Sequence, residues 1–213
     1  MNVIIFGPPG AGKGTQAQKI VKKFNLHQVS TGDILRSEIK KKSEIGKEIE
    51  EIIDKGEFAT DDIVNRLIKK ISTNKAYRNR LIFDGYPRNI YQAESLEVIL
   101  NSDNQSINHI FYLRVSRDLL EKRILGRMIC EKCNKILNKF YDLKEIKNHN
   151  CGEKYFVKRK DDSKEVIINR YDDYMKKTKP VLEFYSSRNC FYEIDGSKKI
   201  DEISLKIAQI LSV

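Results

Sequence analysis

The run Val3-Ile4-Ile5-Phe6 followed by Gly7-Pro8-Pro9-Gly10-Ala11-Gly12-Lys13-Gly14-Thr15 constrains this chain more than any other stretch. Val3 to Phe6 is continuously apolar and rich in β-branched residues, as a strand buried on both faces requires. From Gly7 to Gly12, glycines permit backbone angles that other residues resist and leave no side chain in the way of a close ligand. Beyond Lys13, the apolar residues Ala17, Ile20, Val21 and Phe24 recur at helical spacing on one face. Strand, glycine loop and helix in this order form a phosphate-binding loop. Loop N–H groups and the positive helix end face an anion, and Lys13 adds a mobile cation. The general pattern puts Ser or Thr directly after the lysine, whereas here Gly14 intervenes and Thr15 carries the hydroxyl. The alternative, a glycine-rich turn that binds nothing, leaves the lysine and the flanking strand and helix unexplained.

The rest of the chain alternates between strand and helix patterns, which means an α/β fold with a parallel sheet covered by helices. His27-Gln28-Val29-Ser30 reads as a short strand broken at Thr31-Gly32-Asp33, and Asp33 is expected to cap the next helix by accepting orphan N–H groups. Residues 34–55 read as charged helices stopped by Gly56. Thr60 or Asp61 caps another helix, with Ile63, Val64, Leu67, Ile68 and Ile71 as its buried stripe. Arg80 to Asp84 and His109 to Val115 read as strands. The loop Gly85-Tyr86-Pro87-Arg88 leaves the C-terminal end of the first, where ligands gather in open α/β sheets. Ser116 caps a helix on which Arg123 and Arg127, four residues apart, share a face.

From Gly126 to Asp162, short apolar pieces, cysteines and turn residues replace the helical rhythm, predicting an inserted β-rich flap. A helix resumes with Asp162 and Glu165 placed as a capping box. Its stripe runs Val166, Ile167, Arg170, Tyr171, Tyr174. A charge on such a face is costly unless paired, so either a carboxylate partner or a ligand phosphate must satisfy Arg170. Cys190 to Ile194 is the last strand, Asp195-Gly196 a turn, and residues 200–211 the last helix.

At 213 residues the chain can bury a real core in one or two domains. It has no apolar run long enough for a membrane span, and it opens on a strand without a basic region and cleavage site, so a cytoplasmic protein with no membrane attachment is expected. The formal net charge of +10 could serve nucleic acid, but the lysines are spread along solvated helix faces and short clusters such as Lys40-Lys41-Lys42 mix with Glu; no nucleic-acid partner is expected. Four cysteines, at 130, 133, 151 and 190, do not suggest a secreted disulfide scaffold. Cys190, in the last strand, is expected to be a buried apolar residue.

Four ordered motifs resemble the adenylate kinase family nearly end to end: Gly7 to Gln16, including the glycine after the lysine; Ser30 to Arg36; Phe83 to Arg88 with Gln92 four residues on; and Arg159 to Asp162. The resemblance implies a P-loop NTPase-type core with five parallel strands in the order 2-3-1-4-5. It places the core at 1–29, 60–125 and 163–213, a helical monophosphate-binding insert at 30–59, and a long-form, β-rich lid at 126–162. It implies reversible transfer of a phosphoryl group from Mg·ATP to AMP, giving two ADP and maintaining adenine nucleotide balance, by an enzyme expected to be a monomer. A related kinase using another base, or GTP as donor, is the alternative.

The resemblance also implies roles. Gly10, Ala11, Gly12, Lys13, Gly14 and Thr15 hold the donor phosphates, with Lys13 on the transferring group. Thr15 contacts the magnesium shell, and Asp84 orders magnesium-bound water. Thr31, Arg36, the backbone of Glu57, Phe58 and Ala59, Gly85, Tyr86, Pro87, Arg88 and Gln92 bind AMP. Arg123 lies on the donor adenine and Arg127 on ATP phosphates, Arg159 and Arg170 clamp the reacting centre, and the backbone near Lys198 reads the donor base. The residue types suit the chemistry independently: an anionic acceptor needs no general base, and crowded negative charge needs arginine and N–H donors.

Cys130-Glu131-Lys132-Cys133 has zinc-knuckle spacing, and Zn²⁺ takes four such ligands. Long-lid relatives close the site with a second pair, but here only Cys151 is clear, and Asn148 and Lys154 at the expected positions are poor ligands. His149 could complete a Cys₃His set, with Glu153 a poorer option; a lid that has lost its metal and folds by hydrogen bonds is the other possibility.

Overall fold

The computed structural model describes residues 1–54, 59–158 and 164–212. Among the described residues, strands β1 (Asn2–Phe6), β2 (His27–Ser30), β3 (Leu81–Asp84), β4 (Ile107–Arg114), β5 (Arg127–Cys130), β6 (Ile136–Asn138), β7 (Phe156–Val157) and β8 (Phe191–Asp195) alternate with ten α-helices. The helices are α1 (Lys13–Phe24), α2 (Thr31–Lys41), α3 (Glu44–Asp54), α4 (Asp61–Ser72), α5 (Ile90–Asn101), α6 (Arg117–Leu125), α7 (Leu143–Lys147), α8 (Lys164–Asp173), α9 (Lys179–Ser186) and α10 (Ile200–Leu211).

Five strands form a parallel sheet in the order β2-β3-β1-β4-β8, the expected 2-3-1-4-5 arrangement with β8 as the fifth strand of the core. Every residue of β1 is buried, and its side chains alternate between two cores as strand geometry demands. Ile4 and Phe6 join Phe83, Ile68 of α4, Leu96 of α5 and Tyr185 of α9 on one face. Val3 and Ile5 join Ile82, Ile20 of α1, Leu120 of α6 and Ile207 of α10 on the other. Burial on both faces is why β1 reads as an unbroken apolar run.

Between β2 and β3, helices α2 and α3 pack on α4 through Ile49, Ile63 and Leu67. Gly46 sets how closely they approach: a Cβ there would lie 2.1 Å from the Glu38 carbonyl oxygen. Gly46→Ala is expected to lose about 1–3 kcal/mol by overpacking, read as a lower denaturant midpoint at unchanged slope. Between α6 and α8, β6-β5-β7 form a small antiparallel sheet, the predicted β-rich flap, with α7 beside it. Among the described residues its own buried core is Cys130, Leu137, Ile146 and Phe156.

Several local expectations change. Ser30, not Asp33, is the N-cap of α2: its Oγ accepts from the Asp33 N–H at 3.4 Å. Of the two candidates at the next cap, Thr60 holds the position and accepts from Ile63 N. Ser116 occupies the N-cap position of α6 without a side-chain cap bond. Helix α6 ends at Leu125, so Arg127 stands on β5 and does not share a helical face with Arg123. The turn at 126 needs glycine, since a Cβ there would meet Asn138 Oδ1 at 2.2 Å. Cys190 precedes β8 and is half-buried against the core. The predicted helix stop at Gly56 and the Asp162–Glu165 capping box lie outside the described residues or side chains.

Candidate active site

The C-terminal ends of β1 and β3, adjacent in the sheet, carry two loops that face one another. The loop after β1 holds left-handed turns at Gly10 (φ 81°) and Gly12 (φ 95°). A Cβ at Gly10 would lie 2.7 Å from Ile124, while one at Gly12 would meet nothing within 4 Å, so the latter position opens to a ligand. Ala11 is buried beneath the loop and its N–H bonds Pro8 O. Gly14 and Thr15 lie in the first turn of α1, where backbone N–H groups lack helical partners. Lys13 Nζ folds back to donate to Gly7 O at 2.7 Å and Pro8 O at 3.1 Å.

Lys13 is the electrostatic centre. Burial lowers its pKa to about 8; Asp84 opposes the shift, and Arg88, Arg127 and Arg170 add to it. Burial raises the Asp84 carboxyl in turn, with Lys13 opposing. Gln28 Nε2 donates to Asp84 Oδ2 at 3.1 Å. Gln28 was not among the expected site residues; its signal was a polar amide within the short strand β2. Arg170, half-buried on α8, stands within electrostatic range of Lys13 and Arg88 and, as a like charge, lowers the pKa of both.

The loop after β3 forms the second half. Thr31, buried at the start of α2, donates through Oγ1 to Gly85 O at 3.0 Å. Arg88 Nε donates to Gly85 O at 2.8 Å and its Nη2 to Thr31 Oγ1 at 3.3 Å. Tyr86 is buried, its hydroxyl donating to Asn65 Oδ1 at 2.7 Å, and the peptide between it and Pro87 is cis. Gln92, 3% exposed, accepts from the Arg88 N–H at 2.8 Å. Arg36 pairs with Asp33 at 2.5 Å and remains within electrostatic reach of Arg88. Thr31, Ile34, Leu35, Val64, Leu67 and Ile68 line a narrow apolar cleft beside this cluster. Ala59 packs against the core, while Glu57, Phe58 and Arg159 lie outside the described residues.

Arg123 faces a different corner. Its Nη1 donates to Gly196 O at 2.8 Å, in the turn after β8 that also carries exposed Lys198. The flap lies over the first loop: Gln18 Nε2 reaches Asn134 O at 3.4 Å, and Ile136 approaches Gly14.

In the flap, one donor atom each from Cys130, Cys133, His149 and Cys151 lies within 4.8 Å of the others. Cys133 Sγ and His149 Nε2 are 3.2 Å apart. Tetrahedral zinc with bonds of about 2.0–2.3 Å fits such a set. Burial pushes the Cys130 thiol up, but hydrogen bonds from the N–H groups of Cys133 and Lys132 and from the Cys133 and His149 side chains together outweigh it and hold its pKa at about 6. The expected candidates are thus brought together, with His149 beside the three cysteines.

A family model described as Adenylate kinase matches residues 5–190. The adenylate kinase of Pelagibacter ubique (strain HTCC1062) is 57% identical over 213 residues, covering all of both chains. The chain belongs to the adenylate kinase family. The adenylate kinases of Rickettsia africae (strain ESF-5) and Thermosipho melanesiensis are 41% and 38% identical, covering 100% and 99% of each chain. Adenylate kinases are nucleoside-monophosphate kinases, so the chain is a phosphotransferase of that class. Among the described residues, no helix is long and apolar enough to cross a membrane.

Proposed function

We propose that this adenylate kinase moves a phosphoryl group reversibly between ATP and AMP, with the loop after β1 as donor site and the loop after β3 as acceptor site. The supporting observation is the convergence of both loops on one cationic centre, Lys13 with Arg88, Arg127 and Arg170 around it. Gly10 to Thr15 hold the donor phosphates through backbone N–H groups, and Lys13 leaves its carbonyl partners for the transferring group. Thr31, Arg36, Ala59, Gly85 to Arg88 and Gln92 hold AMP; Glu57, Phe58 and Arg159 are assigned to the same site by their motifs. Arg123 and the backbone near Lys198 hold the donor base.

No general base is needed, because the attacking phosphate oxygen is already anionic. The barrier lies in bringing like charges into line, which positioned cations and N–H donors lower once water is excluded. Mg²⁺ supplies further charge neutralisation on the donor phosphates when bound. Half-buried Asp84, with one oxygen held by Gln28, and the Thr15 hydroxyl are the groups that suit its water shell. Residues 30–59 serve as the acceptor insert and 126–162 as the lid, the remainder being the core. Structural zinc on Cys130, Cys133, His149 and Cys151 holds the lid together and takes no part in the chemistry.

Measuring ADP formation from ATP with AMP, CMP, UMP or GMP tests the assignment. At least a tenfold preference in kcat/KM for AMP is expected; equal turnover of the four would overturn it.

A further inference from the structure

Gln92 sits in a frame that fixes which end of its amide points where. Its Oε1 accepts from the Arg88 backbone N–H at 2.8 Å, and its Nε2 donates to Asp61 Oδ1 at 2.6 Å. Both partners demand this orientation, since a backbone N–H can only donate and an ionised carboxylate can only accept. Asp61 is itself held. Its Oδ2 accepts from Asn89 Nδ2 at 2.8 Å, and Asn89 Oδ1 accepts from the Gln92 N–H at 2.8 Å to cap α5. Asp61 also lies in the first turn of α4, where the helix dipole favours its charge.

These bonds leave the amide one N–H on Nε2 and one lone pair on Oε1 among the described residues, in a fixed order. Adenine offers a donor at N6 beside an acceptor at N1, which match that order. Guanine offers an acceptor at O6 beside a donor at N1, which oppose it. Cytosine has adenine's polarity on its pyrimidine edge and uracil has guanine's. A glutamine amide without such a frame turns over about its last, two-fold torsion and serves either polarity.

We propose that Asp61 is a specificity-determining positioning residue: by locking the Gln92 amide it makes the acceptor site take bases of adenine polarity and refuse those of guanine polarity. This rests on the reading of the Gln92 loop as the acceptor site. Selectivity then comes from an unpaired donor facing a donor, the kind of mismatch that separates substrates more sharply than shape does.

The test uses the full chain with saturating ATP and four acceptors. Asp61→Ala is expected to lower the AMP:GMP ratio of kcat/KM at least tenfold and to lower the CMP:UMP ratio in the same direction, with KM for ATP within twofold of the parent. A residue that merely supports the fold would depress all four acceptors alike and leave both ratios unchanged, and that result would overturn the proposal. The double variant Asp61→Asn, Gln92→Glu covers the case in which Asp61→Ala does not fold. It keeps every bond of the frame, because the new amide accepts from Asn89 and donates to the new carboxylate, yet it turns acceptors toward the base. Its AMP:GMP ratio should fall below the parent's by more than tenfold, and an unchanged ratio contradicts the proposal. Gln92→Ala separates the two levels. If it too leaves both ratios unchanged, the acceptor-site reading fails along with the role of Asp61; if it changes them while Asp61→Ala does not, only the role of Asp61 fails.

Discussion

Lys13→Met is expected to lower kcat by about 10²–10³-fold, on the order of 3–4 kcal/mol of barrier, while the ligand-free chain becomes no less stable. The two halves of this expectation have one cause. Lys13 is half-buried with two loop carbonyls as hydrogen-bond partners, and desolvation together with three arginines holds its pKa at about 8. The unfolded lysine keeps its proton up to about pH 10.5. The unfolded chain therefore binds more protons between these values, so this group's contribution to stability rises with pH through that window. Below pH 8 the charge opposes folding in full, and methionine, of similar length, removes the cost. A gain of about 1 kcal/mol would raise Tm by about 2–4 °C in a chain of this size. The wild-type KM for ATP should also climb as pH passes 8 and the free enzyme loses the charge, a dependence that Lys13→Met lacks. Steady-state rates across pH 7–9.5 and thermal melts without nucleotide check both halves. A loss of activity below tenfold would contradict the role given to Lys13.

Removing the metal should undo the lid and spare the core. The four buried residues among the described part of the lid are a small core for it to order itself on, and apparent binding energies of structural zinc, on the order of 10–16 kcal/mol, exceed what they supply. Purified protein is expected to hold about one zinc per chain, and less than a tenth of an equivalent under metal-retaining conditions would sink the assignment. Cys130→Ser should release the metal and expose residues 127–157 to proteolysis and hydrogen exchange. It should lower kcat/KM for ATP at least tenfold, because Arg127 stands on β5 three residues before Cys130 and reaches Lys13 only while that strand is ordered. The melt of the five-stranded core should move little, since Cys130 shares its cluster with no core residue.

What the sequence made legible was chiefly local. The loop after β1, the run from Gly85 to Arg88, and the Cys130–Cys133 pair each lie within a few consecutive residues, where spacing and chemistry are read together. The sheet order was legible through the family likeness, and β1's unbroken apolar run agreed with its place at the centre. Contacts distant along the chain left no such trace. Asp61 looked like a helix cap because nothing near it in sequence announces Gln92, thirty-one residues on. Gln28 carries no local sign of its role for the same reason, its partner Asp84 being fifty-six residues away. The helical spacing of Arg123 and Arg127 carries no sign that α6 ends at Leu125 and that β5 begins at Arg127, where the chain packs closely against Asn138 across Gly126. Ser30 displaced Asp33 at the cap because α2 begins earlier than the Thr-Gly-Asp break suggests.

The position of β1 between β3 and β4 has a consequence for how the molecule is made. The strand bearing the phosphate loop is made before the other strands of its sheet, yet its neighbours begin only at Leu81 and Ile107, and the outer strand beyond β4 only at Phe191. Its pairing is therefore entirely non-local, the slow and exposed kind of folding step. During synthesis an apolar ribbon waits, for most of the chain's length, for both edges to arrive. That wait is written into the strand order itself.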